Sequence, residues 1–183
     1  MVRLGTIIHS VLHVTKVFCD NYLDGGYHVP FAHPSLAAGL DMQSYTSELC
    51  SDNMSVQRVA ASDTAPDRVT GGSWLRGFYL SVVPFHGVRL HSVIQTCINR
   101  RCMAAGSRRD SSSTTSDAVF AFLYPNLMVN AYGCWVDTNL VMPLSADSCC
   151  VQFDWYIVQD RADDQKFIED SIDASHEVHI CPA

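Results

Sequence analysis

The sequence is short of positive charge. Its 183 residues carry 12 Lys and Arg against 19 Asp and Glu, a formal net charge of −7. A nucleic-acid footprint needs a basic face, so this balance argues against one. No uninterrupted apolar run reaches the roughly 20 residues that span a bilayer, which predicts no membrane partner. The P-loop, the G-x-G-x-x-G fingerprint, the G-x-S-x-G elbow and the H-E-x-x-H metal helix are all missing, which removes the commonest signatures of nucleotide, hydrolase and zinc-protease chemistry. Eight cysteines are present, but no C-x-x-C pair or zinc-finger spacing. They read as small buried hydrophobes in a reducing compartment rather than as a disulfide framework. Adjacent Cys149 and Cys150 would point to opposite faces of a strand, placing at least one in the core.

A hydrophobic fraction of 48% and a charged fraction of 17% are those of a globular chain, long enough for one ordinary domain. The apolar N-terminus, MVRLGTIIHSVLHVTKVF, has no small-residue cleavage pattern and no clear transit peptide; it reads as a strand or helix leading into the histidine-bearing segment at 21–33. Residues 40–59 form a polar stretch with a short strand over 55–59. Residues 61–117 differ from the rest: a loop, one or two strands, then a basic and Ser/Thr-rich run holding Arg100, Arg101, Arg108 and Arg109. This composition reads as an insertion or solvated linker, with a binding patch as the alternative. Residues 118–160 contain four apolar segments separated by turn signals, which predicts an antiparallel meander. In the last segment Val151, Phe153, Trp155 and Ile157 alternate with Gln152, Asp154 and Tyr156, the period of a half-buried strand. Residues 163–178 predict a helix, with Asp163 and Asp164 at its start and Phe167, Ile168 and Ile172 on its apolar side. The order predicts an α+β domain.

The segment with most chemistry is NYLDGGYHVPFAH, residues 21–33. Two histidines and a carboxylate on one side of an iron leave open positions for oxygen and substrate. On a straight helix His28 and His33, five apart, would diverge by about 140°. Pro30 between them gives a reason for the helix to bend. Asp24, four before His28, is placed either to bind a metal or to orient His28, and Asn21 lies one turn further back. The plainer reading stands beside this one: Asp24-Gly25-Gly26 is a turn, and His33-Pro34 a helix end. His9 and His13, His86 and His91, and His176 and His179 have weaker patterns. No cysteine has an evident base partner.

Residues 17–45, VFCDNYLDGGYHVPFAHPSLAAGLDMQSY, and 124–144, YPNLMVNAYGCWVDTNLVMPL, resemble two stretches of the plant choline monooxygenase family of Rieske-type oxygenases. CVQFDWYI and DDQKFIEDSIDASHEV continue the match in order, so about half the chain is covered. The resemblance implies an antiparallel sheet flanked by helices, the helix-grip or START-like catalytic fold. It assigns residues 17–60 and 118–178 to a partial mononuclear-iron domain and 61–117 to a divergent insertion or linker. It makes His28 and His33 ligands of Fe(II), Asp24 the acidic residue that passes electrons from a neighbouring cluster, and Asn21 a polar residue beside the metal. The implied reaction oxidises choline to betaine aldehyde hydrate with O2 and ferredoxin electrons, on the route to glycine betaine, in a chloroplast stromal homotrimer.

The sequence departs from that family in three places. No C-x-H followed by C-x-x-H occurs, so the ligands of the Rieske [2Fe–2S] domain are absent from these residues. Residues 66–116 do not match. The third iron ligand, a carboxylate expected just past Glu177, is not found; Asp173 and Glu177 are the nearest acids. Activity therefore requires a cluster-bearing subunit and a replacement carboxylate. The alternatives are a degenerate, non-enzymatic domain that binds a small apolar or cationic ligand, and a hydrolytic zinc site at His28 and His33.

Overall fold

The computed structural model describes residues 1–11, 15–62, 84–85, 88–89, 118–170 and 172. Seven strands build its frame: β1 (Val2–Val11), β2 (Leu40–Ser51), β3 (Met54–Ala61), β6 (Ala118–Leu123), β7 (Leu127–Tyr132), β8 (Trp135–Pro143) and β9 (Cys149–Ile157). They form one antiparallel sheet in the order β1-β9-β8-β7-β6-β3-β2. A separate two-stranded ribbon pairs β4 (Pro84–Phe85) with β5 (Val88–Arg89). The expected meander over 118–160 is β6 to β9, with Gly133 at a positive φ in the tight β7–β8 turn. The polar stretch after the motif is not loop but a hairpin, β2–β3, closed through Asp52 and Asn53. Within the apolar N-terminus Val2–Val11 is the strand β1, in which His9 meets the Phe153 ring edge-on; His13 lies outside the described residues. Apart from residues 61 and 62 and the β4–β5 ribbon, the insertion with Arg100, Arg101, Arg108 and Arg109 lies outside the described residues, as do the His86–His91 and His176–His179 pairs.

Both faces of the sheet are buried. On one, Met128, Trp135, Val141, Cys149, Val151, Phe153, Trp155 and Ile157 form a core against the helix α1 (Thr15–Tyr22) and a second helical segment described over 165–170 and at Ile172. Phe18, Cys19 and Tyr22 come from α1, and Phe167, Ile168 and Ile172 from the second helical segment. That segment starts where its sequence predicts: Asp164 Oδ1 accepts from the Phe167 N–H at 3.2 Å, an N-cap bond. On the opposite face Val56, Val119, Ala121, Val129, Val136 and Tyr156 form a second core. Cys149 and Cys150 therefore point oppositely and are both buried, and with Cys19, Cys50 and Cys134 they are free thiols.

The half-buried reading of β9 fails on its polar side. Asp154 is only 2% exposed and Tyr156 7%. A buried carboxylate needs donors, and Asp154 has three: Arg3 and Thr6 from β1, and Gln152. Burial alone would raise its pKa; these donors outweigh it and bring it below the ordinary value.

The α1 face carries a second buried acid, Asp137, 1% exposed. Asn130 Nδ2 donates to it at 2.6 Å, and the Tyr22 hydroxyl donates to Asn130 Oδ1 at 2.7 Å. Here burial wins over the hydrogen bonds from Asn130 and Tyr132, and the Asp137 pKa is pushed up to about 6. The folded state thus holds the proton more tightly than the unfolded chain. The stability this contributes is complete below the unfolded value near 4 and lost as pH rises through about 6. Asp137→Asn removes the charge. It should raise unfolding free energy at pH 8 by up to about 3 kcal/mol and leave it nearly unchanged at pH 4. Urea denaturation at the two pH values measures this, and an equal effect at both would refute it.

Candidate metal-binding site

The site is built on a chain break between helices rather than on a bent helix. α1 ends at Tyr22; Leu23 to His28 form turns; α2 (Val29–Ala32) and α3 (Pro34–Ala37) are single turns. Both prolines sit in first turns, where a missing N–H costs nothing. Pro30 therefore starts α2 rather than kinking it. His28 precedes α2, and His33, with φ −132° and ψ 62°, separates α2 from α3. This non-helical joint removes the 140° divergence of a straight helix. The two rings meet edge-on with centroids 5.2 Å apart.

Asp24 organises the turn before them. Its Oδ1 accepts from the Gly26 N–H at 2.8 Å, and its Oδ2 from the His28 N–H at 2.9 Å. Oδ2 also lies 2.8 Å from His28 Nδ1. Both Asp24 oxygens are engaged within the turn. A carboxylate oxygen accepts, so this contact takes a proton on His28 Nδ1 and leaves Nε2 as the other ring nitrogen. Asn21 Nδ2 approaches that atom at 3.5 Å, so the residues read as one cluster do meet.

The turn needs two glycines. Gly25 and Gly26 have φ of +76° and +81°. A Cβ on Gly26 would lie 2.5 Å from the Tyr45 ring, whereas one on Gly25 would meet only Ser47 Oγ at 3.8 Å. Tyr45 is fixed from β3, its hydroxyl donating to Gln57 Oε1. Burial, and then the charge of Asp24, push its pKa up to about 12.

His33 is the second candidate nitrogen ligand of the segment. Its Nδ1 is buried and finds no hydrogen-bond partner among the described residues. Burial, and then the neighbouring His28 ring, lower its pKa. The ring is therefore neutral at pH 7, the form that binds metals. A buried polar atom without a partner is costly unless something else satisfies it, and neutral imidazole is a common nitrogen ligand of metal ions. Among the described residues no group of three His, Cys, Asp or Glu is arranged to hold a metal. Asp173 and Glu177 lie outside them.

Residues 16–179 match the model of the ring hydroxylating alpha subunit catalytic domain. The chain belongs to that family. It is 36% identical over 165 residues to the chloroplastic choline monooxygenase of Arabidopsis thaliana, covering 90% of this chain and 29% of that protein. The chain thus spans less than a third of that relative's length. Among solved structures it resembles the quaternary ammonium Rieske monooxygenase CntA in complex with an inhibitor, with a TM-score of 0.60 at 14% identity, covering 98% of this chain and 38% of the other. It also resembles naphthalene 1,2-dioxygenase from Rhodococcus sp., with a TM-score of 0.54 at 15% identity, covering 97% and 39%. The fold is that of Rieske oxygenase catalytic domains, and the family brings with it iron and a Rieske cluster.

Sequence reasoning missed Tyr45 and Gln57. A signal existed for Gln57: it interrupts the inward register Gln57, Val59, Ala61 of a buried strand, and it is 2% exposed. The glycine geometry yields a graded expectation. Gly26→Ala should cost about 2–4 kcal/mol, from a left-handed backbone plus a ring clash. Gly25→Ala should cost only about 1 kcal/mol. Thermal or urea denaturation of the two variants separates them, and equal losses would contradict the Tyr45 contact.

Proposed function

We propose that this chain is the iron-holding part of an oxygenase that oxidises choline or a related quaternary amine. His28 Nε2 and His33 Nδ1 are the nitrogen ligands of a mononuclear Fe(II), Asp24 orients His28, and Asn21 stands beside the metal. The observation that supports this most is the buried, unsatisfied Nδ1 of half-buried His33, one ring away from a His28 whose other nitrogen is already committed to Asp24. Bound iron would supply dioxygen activation at this position, with electrons arriving from ferredoxin through a cluster-bearing subunit. The chain's own residues do the positioning. Asp24 fixes the His28 tautomer, and, neutral at pH 7, His33 offers a lone pair without first losing a proton. The exposed Tyr27 and Phe31 rings, 5.9 Å apart at the start of α2, offer faces to a cationic amine. The choline substrate, the plastid location and the glycine betaine route rest on the chloroplastic choline monooxygenase relatives. A carboxylate from outside the described residues, or from a partner, completes the ligand set.

Anaerobic reconstitution with Fe(II) tests the reading. Near-stoichiometric iron is expected in the wild type, and none above background in His28→Ala/His33→Ala. Asp24→Asn keeps the shape but weakens the orienting bond, and should lower iron affinity by roughly 10–100-fold. Choline-dependent oxygen uptake, with ferredoxin, its reductase and a cluster-bearing subunit supplied, then tests the substrate. A wild type that binds no more iron than the double variant would refute the metal reading and favour a domain that binds a small ligand without iron; calorimetry with choline would then detect binding.

A further inference from the structure

The turn that carries Asp24 is poorly packed. Leu23, between Tyr22 and Asp24, is 41% exposed and lies over an open cavity of about 200 Å3 lined also by Ser47, Glu48 and Leu49. Apolar burial therefore does little to hold residues 23–26 in place. Hydrogen bonds from β3 take that role, and they converge on one side chain. Gln57 Nε2 donates at 2.9 Å to the carbonyl of Tyr22, the last residue of α1. Gln57 Oε1 accepts from the Tyr45 hydroxyl, and the Tyr45 ring closes on Gly26. One amide thus grips both ends of the segment 22–26, whose N–H groups and carboxylate set the His28 ring. The Tyr22 end has a second anchor, through its hydroxyl to Asn130 and on to Asp137; the Tyr45 hydroxyl has only the Gln57 contact among the described hydrogen bonds.

We propose that Gln57 is a positioning residue of the site: by bridging the Tyr22 carbonyl and the Tyr45 hydroxyl it closes the turn on which Asp24 holds His28 with its proton on Nδ1 and its Nε2 lone pair outward. The proposal deepens the metal reading, but it makes a claim about the metal-free chain as well. Glutamine suits the task because it presents a donor and an acceptor from one planar group. Glutamate keeps the acceptor for Tyr45 and loses the donor for Tyr22. Leucine loses both.

Imidazole 15N NMR of the metal-free chain at pH 8 reads the His28 tautomer directly, and Co(II) titration reads the assembled ligands through absorbance. In the wild type His28 should carry its proton on Nδ1. Gln57→Leu and Tyr45→Phe should each give mixed tautomers and bind Co(II) about tenfold more weakly. The combined variant should be no worse than the poorer single one, because both act through the same bridge. Gln57→Glu should fall between wild type and Gln57→Leu. A residue that merely stabilises the fold would lower the melting temperature and leave tautomer and affinity alone. That result in Gln57→Leu overturns the proposal, as does a wild-type His28 with its proton on Nε2. Should Gln57→Leu fail to fold, Gln57→Glu and Tyr45→Phe decide by the same criteria, and wild-type behaviour in both overturns it. A wild type that binds no Co(II) removes the metal reading alone, and the tautomer comparison then decides the role of Gln57.

Discussion

Everything at the site depends on a carboxylate turned inward. Asp24 accepts two backbone N–H bonds and faces one ring nitrogen, all within the five residues that end at His28. Such a tight wrap is possible only because Gly25 and Gly26 can take left-handed backbone angles and because Gly26 has no side chain to strike Tyr45. An acid folded onto its own turn cannot also reach outward as a ligand. In the proposed reading its task is instead to set which nitrogen of His28 remains available, through backbone geometry several residues away.

The sheet beneath supplies rigidity through polar groups as well as apolar ones. Its α1 face is lined with aromatic and aliphatic residues, yet Gln57, Asn130, Asp137 and Asn139 are buried in the middle strands. Each additional polar group there must be satisfied, and a satisfied network specifies one arrangement of strands and helix where an apolar surface would tolerate several. Tyr22 is where this network leaves the sheet and enters α1. The helix end that launches the motif is in this way registered to the sheet by named hydrogen bonds, while Phe18 and Cys19 supply the apolar contact.

The parts of the molecule legible in the sequence are those governed by local periodicity and turn chemistry. The meander over 118–160, the Asp164 cap and the grouping of Asn21, Asp24 and His28 are set by spacing and residue type. What escaped was decided by contacts distant in the chain. The hairpin β2–β3 hid behind polar residues because the inward residues of β2 are few, with Leu40 and Cys50 buried at its two ends. β9 looked half-solvated because its carboxylate partners, Arg3 and Thr6, sit 151 and 148 residues away. The convergence of His28 and His33 came from a joint at His33 itself, with Pro34 opening the next turn, and not from a kink at Pro30. The strand register marks Gln57 as an inward polar residue, but its two partners, Tyr22 and Tyr45, come into view only in the fold.

One feature of β1 bears on where the domain begins. The family resemblance starts at residue 16, but β1 pairs with β9 from Val2 to Val11 and delivers the guanidinium and hydroxyl that neutralise Asp154. A chain trimmed to the family boundary would keep every candidate ligand. It would also strip the outermost strand from β9, opening a row of unpaired amides and carbonyls beside a charge left without its counterion. The stretch that matches the family model and the stretch that completes the sheet are therefore different lengths of the same chain.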